Sequence, residues 1–302
     1  MFDILIIGGG PAGLTAAVYA GRAEKSALVI EKDAFGGQIT HSPRVENIPG
    51  FVSLSGNEFA EKLVDQAIAQ GAEFESGEVT ALRRDNETGV FTAVTEFGEF
   101  EGKSVILATG AKHRELGLPG EHELEGVSYC AVCDGAFYKG MEVGMVGGGN
   151  SALQEAVLLS GLCKKVTIFQ DLPVLTGEKK LQDDIRAREN VEVITGVHVE
   201  KLLGDGELSG VVIRDTASGE EKEIPLQGLF VAIGLLPQNE PFTDYIRLND
   251  YGYADSDETC TTATPGVFVA GDCRSKRIRQ VTTAAADGAV AALKAIDFVE
   301  GR

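Results

Sequence analysis

Positive charge is what this chain has least of: 27 Lys and Arg stand against 46 Asp and Glu, a formal net charge of −19. The deficit argues against non-specific nucleic-acid binding, which depends on clustered Lys and Arg, and against a polybasic contact with a membrane. Neither nucleic acid nor membrane is expected as a partner. Long apolar runs are missing too: nowhere do about 18 apolar residues follow one another, as a membrane helix requires. The N-terminus runs straight into Ile4-Leu5-Ile6-Ile7 and glycines, with no basic start or small-residue cleavage site, so no targeting segment and a cytoplasmic location are expected. Cysteine is scarce, at five (130, 133, 163, 260 and 273), which in an acidic chain without a leader does not suggest a secreted disulfide framework. Cys163, Cys260 and Cys273 stand alone and are expected to be buried or incidental. The histidines at 41, 113, 122 and 198 form no pair that would complete a zinc site with Cys130 and Cys133, so no metal is expected.

What is present is length and pattern. At 302 residues the chain has room for two domains with real cores, and 43% hydrophobic with 24% charged residues is ordinary for a soluble globular protein. Asp3–Ile7 reads as a short buried strand. Gly8-Gly9-Gly10-Pro11-Ala12-Gly13 follows, then a helical pattern from Leu14 to about Arg22, and a second apolar run, Ala27–Ile30, ending at Glu31. Strand, G-x-G-x-x-G, helix, strand and acid in this order are the βαβ dinucleotide fingerprint. Gly8 permits the tight turn, Gly10 lets backbone approach a pyrophosphate, Gly13 lets the helix pack on the strand, and Glu31 reaches a ribose hydroxyl.

The pattern recurs. Val143–Val146, Gly147-Gly148-Gly149-Asn150-Ser151-Ala152, a helix to about Leu162 and the strand Val166–Phe169 form a second βαβ unit, so the chain carries an internal repeat. Two such turns point to a flavin site and a nicotinamide site, with a degenerate second copy kept for structure as the plainer alternative. Between them, residues 57–70 predict an amphipathic helix with Phe59, Leu63, Val64, Ala67 and Ile68 on one face. Segments 74–82, 90–96 and 99–107 predict a small antiparallel excursion. Beyond the second turn, strands are expected over 191–199, 208–214, 222–226 and 228–234, and again over Thr264–Asp272, a strand capped by Gly271-Asp272 and followed by an alanine-rich helix. An acid there could reach a ribityl or ribose hydroxyl.

Cys130-Ala131-Val132-Cys133-Asp134 sits between the two turns. Two cysteines at this spacing can close a small disulfide, a two-electron store, and the adjoining acid can exchange the proton that thiol chemistry needs. A helix-cap or turn acid is the plainer alternative for Asp134.

Taken together, Gly8–Gly13, Gly36-Gly37-Gln38, Glu46–Gly50, Ala108-Thr109-Gly110, Cys130–Asp134, Gly147–Ala152, Gly271-Asp272 and Arg279-Gln280-Val281 resemble the low-molecular-weight thioredoxin reductases over essentially the whole chain. The resemblance implies an α/β fold of two Rossmann-like, three-layer dinucleotide-binding domains, the second inserted in the first. Residues 1–112 and 242–302 would hold FAD, and 113–241 would be a nicotinamide-type domain carrying the Cys pair. It implies FAD contacts from Gly8, Gly10, Pro11, Ala12, Gly13, Glu31, Gly37, Gln38, Asn47, Thr109, Gly110, Gly271, Asp272, Arg279, Gln280 and Val281. It also implies a homodimer, a rotation of one domain on the other, and thioredoxin as partner. Cys133 would face the flavin and Cys130 would attack thioredoxin.

One stretch departs from the family. Where its members read His-Arg-Arg-Asp-x-x-Arg, whose arginines hold the 2′-phosphate of NADPH, this chain reads Gln170-Asp171-Leu172-Pro173-Val174-Leu175-Thr176. Asp171 would repel a phosphate and suit a free 2′-hydroxyl. With Gly147, Gly149, Asn150 and Ser151 in place, NADH is expected over NADPH. Reduced ferredoxin or a deazaflavin is the alternative donor. A flavin dithiol oxidase, and a non-catalytic redox sensor on the same scaffold, are the competing functions.

Overall fold

The computed structural model describes residues 1–42 and 44–302. These fall into two compact units, Met1–Lys112 with Leu236–Arg302, and His113–Leu235. The α-helices among the described residues are α1 (Pro11–Arg22), α2 (Gly56–Ala69), α3 (Ala131–Asp134), α4 (Asn150–Ser160), α5 (Lys179–Arg186) and α6 (Val281–Val299).

In the first unit, strands β1 (Phe2–Ile7), β2 (Ala27–Glu31), β3 (Glu73–Ser76), β4 (Ala81–Arg84), β5 (Phe91–Thr95) and β6 (Gly98–Leu107) form a sheet in the order β3-β2-β1-β6-β5-β4. β3, β2, β1 and β6 pair in parallel, and Val267–Val269 adds in parallel to the end of β6. β4 and β5 pair antiparallel, β5 lying along the start of β6. The unbroken apolar runs of β1 and β2 suit strands covered on both faces, and alternation assigns each side chain. Ile4, Ile6 and Val29 join a core with Leu14, Ala16 and Ala17 of α1 and Ala291, Ala292 and Ala295 of α6. Leu5, Ile7, Leu28 and Ile30 face the other way, to Val105, Leu107, Val267 and Val269. Each fully buried side chain of this kind contributes about 1.5–3 kcal/mol. The two helices approach closely because Gly288 has no side chain: a Cβ there would stand 2.1 Å from the Ala12 carbonyl oxygen.

In the second unit, strands 191–195, 165–170, 142–146, 228–231 and 127–128 lie in that order in a parallel sheet. Strands 197–205, 207–215 and 221–225 form an antiparallel sheet. Val143, Met145, Val166, Ile168 and Phe230 pack with α4 residues Ala152, Leu153, Ala156 and Leu159. Val146, Phe169, Leu229 and Val231 pack on Val197, Leu202, Leu208, Val211 and Ile213 of the antiparallel sheet.

The α/β class and the two dinucleotide-type units are as expected, with local corrections. The antiparallel excursion is smaller, because 74–82 breaks at Gly77, whose N–H bonds the Glu31 carbonyl; β3 joins the parallel edge instead. Segment 191–199 breaks at Gly196, which has φ 70° and bonds back to Leu172, so its halves belong to different sheets. α1 starts at Pro11 rather than Leu14, proline being at home in a first turn. α2 buries Phe59 and Ala67 but leaves Ile68 55% exposed, since the neighbouring Ala67 holds the inward position one residue earlier. Its start is fixed by a capping box, Ser55 with Glu58. The alanine-rich helix does not follow Gly271-Asp272 directly: those residues form a short 3-10 turn, and α6 begins at Val281.

Candidate functional site

The two glycine turns share one construction. Gly8 has φ 109° and donates to the Ile30 carbonyl at 2.8 Å; Gly147 has φ 121° and donates to the Phe169 carbonyl at 2.9 Å. A Cβ would lie 2.2 Å from the Ala108 oxygen at Gly8 and 2.5 Å from the Ala232 oxygen at Gly147, so only glycine serves at either. The turns differ at their last position. A Cβ on Gly13 would meet the Gly8 oxygen at 1.9 Å, whereas the second turn accommodates Ala152.

Both turns leave helix N–H groups open. α1 begins at the N-cap Gly10 and α4 at the N-cap Gly149, neither with a side-chain cap nor an acid in its first turn. α2, capped by Ser55 and Glu58, shows the ordinary solution to the same problem. Uncapped donors behind a glycine turn suit an anionic group such as a pyrophosphate.

Around the first turn the expected residues gather within their own unit. Glu31 accepts from Gly9 N at 2.6 Å and from Asp33 N at 2.9 Å, so it braces the turn besides reaching toward any ribose. Gly36 N donates to the Gly9 oxygen at 2.7 Å, and a Cβ on Gly37 would lie 3.1 Å from the Gly10 Cα. Gln38 donates to the Ala111 carbonyl. Thr109 Oγ1 donates to Asn239 Oδ1 at 3.3 Å, and Asn47 Nδ2 to Gln280 Oε1 at 3.2 Å. Gln280 caps α6 immediately before Val281, and the Arg279 guanidinium lies 4.1 Å from the centre of the Tyr253 ring. Gly110, with φ 68°, faces open space.

Asp272 is the telling residue of this group. Its Oδ1 is sealed from solvent and has no hydrogen-bond partner, Lys276 Nζ standing 3.4 Å away without alignment. Burial pushes its carboxyl up, with Lys276 acting in the opposite sense. A buried acceptor without a donor is costly, and a ligand hydroxyl would satisfy it. The residues present therefore fit a phosphate-bearing, polyhydroxylated group such as FAD. Behind Asp272, Asp287 receives Arg274 Nε and Nη2 at 2.8 Å each, Lys276 Nζ at 3.0 Å and Gly271 N at 3.1 Å.

In the second unit, Cys130 and Cys133 are joined by a disulfide. Cys130 is the N-cap of α3; its Sγ accepts from Cys133 N at 3.2 Å and its N–H bonds Ser128 Oγ at 3.2 Å. Ser128 Oγ donates to Asp134 Oδ2 at 2.6 Å. Burial pushes the Asp134 carboxyl up and the Ser128 bond pulls it partly back, the direction that suits a proton-carrying acid. Both cysteines are half-buried and Val132 between them is exposed. Cys163, Cys260 and Cys273 are free and buried.

Sequence reasoning missed several supports of this loop. Ser128 lies two residues before Cys130. Glu155 on α4 accepts from Ala131 N at 2.9 Å. Buried Glu121 accepts from the N–H groups of Leu116, Gly117 and Leu118 and from Tyr129 Oη at 2.7 Å. Glu155 alone left a signal, an acid between Ala152 and Leu159 on the buried stripe of α4.

At the second turn, Asn150 Oδ1 accepts from Glu178 N at 2.7 Å, while Ser151 is exposed. Asp171 is exposed and its carboxylate accepts from its own neighbour, Leu172 N, at 2.9 Å. The side chain packed against the turn as Glu31 packs against Gly9 is that of Gln170, 2.7 Å from where a Gly148 Cβ would stand.

Two glycine-turn βαβ units in one chain, with a disulfide ring and a half-buried acid, define a disulfide oxidoreductase of the double-dinucleotide fold. Comparison narrows the class. The family model for pyridine nucleotide-disulphide oxidoreductases matches residues 2–288. Over 303 residues the chain is 41% identical to a thioredoxin reductase of Bacillus subtilis (strain 168), covering 99% of this chain and 95% of that one. It is 39% identical over 303 residues to a 34.2 kDa protein in the rubredoxin operon of Clostridium pasteurianum, covering 99% and 98%. The structure of thioredoxin reductase from Streptococcus pyogenes MGAS5005 matches with a TM-score of 0.95 at 38% identity, covering 100% and 99%. This chain belongs to the pyridine nucleotide-disulphide oxidoreductase family, among the low-molecular-weight thioredoxin reductases.

Proposed function

We propose that the protein is an FAD-dependent thioredoxin reductase that passes two electrons to the Cys130–Cys133 disulfide and on to thioredoxin. The observation that carries this reading is the half-buried disulfide ring with Asp134 held against it by Ser128, in a chain about 40% identical over its full length to thioredoxin reductases. FAD would be held by Gly8–Gly13, Glu31, Gly37, Gln38, Asn47, Thr109, Gly110, Asp272 and Arg279–Val281; the uncapped N-terminus of α1 and the sealed Asp272 oxygen, which makes no hydrogen bond, support this. When bound, FAD supplies the electron pair that opens the disulfide.

The remaining chemistry belongs to the side chains. The ring takes two electrons and two protons, the Sγ–Sγ bond breaks, and two thiols result. As a thiolate, Cys130 keeps the Cys133 N–H that its sulfur already accepts, an arrangement that favours the anion. It attacks the partner disulfide to form a mixed disulfide. Cys133 then attacks Cys130 Sγ, restores the ring and releases the partner dithiol. Asp134 holds the proton that passes to the departing thiolate.

For the donor we propose NAD(P)H at the second turn, with Gly147, Gly149, Asn150, Ser151 and Asp171 nearby and NADH favoured over NADPH. The stretch Gln170–Thr176 carries no cation for a 2′-phosphate and an acid at Asp171. Ferredoxin or a deazaflavin remains the competing donor on the same observation. The family resemblance supports a homodimer, and three free buried thiols beside a single disulfide support a cytoplasmic setting.

The test is anaerobic bleaching of the bound flavin by NADH, NADPH and photoreduced ferredoxin in turn, followed by addition of oxidised thioredoxin. Reoxidation matched by thioredoxin dithiol is expected, and Cys130→Ser or Cys133→Ser should abolish it while FAD stays bound. Hydrogen peroxide formed in step with dithiol consumed in air, without reduction of thioredoxin, would show a dithiol oxidase instead. Fast bleaching by NADPH at micromolar levels would overturn the NADH preference.

A further inference from the structure

The disulfide ring is held from outside by one carboxylate. Glu155 Oε2 accepts from the N–H of Ala131, the first residue inside the ring closed by Cys130 and Cys133. Glu155 lies three residues after Ala152 and four before Leu159, both buried, on the face of α4 that carries the core. Burial pushes its carboxyl up, and the Ala131 N–H works against that rise. An acid on such a face is costly without a partner, and charge-assisted bonds to backbone N–H are the stronger kind. The N–H groups of the two cysteines are satisfied locally, Cys130 N by Ser128 and Cys133 N by the Cys130 sulfur and carbonyl. Ala131 is the position where the ring is tied to a distant element, and that element, α4, opens at the second glycine turn.

We infer that Glu155 is a positioning residue for the redox ring, clamping it in the closed disulfide form and fixing it to the helix that begins at Gly147–Gly149. The inference rests on Cys130–Cys133 being the redox couple. Reduction by two electrons and two protons breaks the Sγ–Sγ bond and releases the ring, so a clamp on the closed form favours the disulfide over the dithiol and lowers the couple's potential.

The experiment equilibrates the FAD-loaded protein anaerobically in dithiothreitol buffers, the dithiothreitol being oxidised to its cyclic disulfide as the ring is reduced. Thiols are trapped by alkylation, and the Cys130–Cys133 peptide is read by mass, which keeps Cys163, Cys260 and Cys273 out of the signal. Glu155→Ala should move the dithiol–disulfide equilibrium about tenfold toward the dithiol, equivalent to about 30 mV. Glu155→Gln, which keeps a neutral acceptor of roughly half the strength, should move it about threefold. A wild-type equilibrium in the folded Ala variant overturns the inference; where that variant does not fold, an unchanged value in Glu155→Gln does so. No thioredoxin enters, so a different protein partner leaves the result standing. A wild-type ring that takes no electrons from dithiothreitol overturns the redox reading and this inference with it.

Discussion

The Ser128 hydroxyl donates to Asp134 at 2.6 Å and accepts the Cys130 N–H at 3.2 Å, so one oxygen ties the acid to the backbone of the first cysteine. The acid is thereby held beside the ring by a residue that takes no part in the electron transfer.

Removing that hydroxyl should be visible in the pH profile. The bond from Ser128 pulls the Asp134 carboxyl down against burial, so Ser128→Ala should let it rise further. The limb of the rate profile that reports this acid should move to higher pH, measured as the pH dependence of thiol exchange with a small disulfide. A superimposable profile would remove Ser128 from the mechanism.

Asp134→Asn separates stability from catalysis. Burial raises the folded carboxyl above its unfolded value, so between about pH 4 and the raised value the native state holds more protons than the unfolded chain. Stability therefore falls as pH rises through that window. The amide keeps an acceptor for Ser128 without that loss. Its melting temperature near neutral pH should equal or exceed wild type, while exchange slows by about a hundredfold.

The buried cluster behind Asp272 predicts the reverse. Burial alone would raise Asp287, but the hydrogen bonds from Arg274 and Lys276 bring its carboxyl below the usual value. Its stabilising contribution is full above about pH 4 and lost as pH falls through the lowered value. Asp287→Ala removes the hydrogen-bonded carboxylate of Arg274, 3% exposed, and of Lys276, 7% exposed, leaving them only the longer contacts to Glu258 at 3.7 Å and Asp272 at 3.4 Å. A loss of about 3–5 kcal/mol in denaturant unfolding is expected.

The donor reading is tested at Asp171 and Thr176, both exposed. The pair Asp171→Arg with Thr176→Arg should raise kcat/KM for NADPH relative to NADH about tenfold, the worth of one charged hydrogen bond to phosphate. A ratio that does not move would place the donor elsewhere.

What the sequence made legible was local. Gly8, Gly13 and Gly147 announce themselves by their spacing in a short turn, although the oxygens that crowd Gly8 and Gly147 belong to Ala108 and Ala232 far along the chain, and burial on both faces follows from the unbroken run Ile4–Ile7 itself. The Cys130–Cys133 ring is equally short in sequence. The supports of these motifs come from far along the chain: Glu155 reaches Ala131 across 24 residues, and Asn239 reaches Cys273 across 34. Such pairings leave no periodic trace. Segment 191–199 misled because both halves alternate properly, and only Gly196, with its positive φ, separates them. Asp171 drew notice for its charge, yet Gln170 holds the position against the turn.

The contact of Gly288 with Ala12 sets an order of events in biosynthesis. α1 is made long before α6, yet each needs the other to cover the shared core. Residues His113–Leu235 are continuous in sequence, so that unit leaves the ribosome whole and can fold while the earlier-made glycine turn still lacks its closing helix. Domains commonly fold in the order they are synthesised; here the middle of the chain is finished before its beginning, and a release of synthesis short of Gly288 strands the first turn without the helix that seals it.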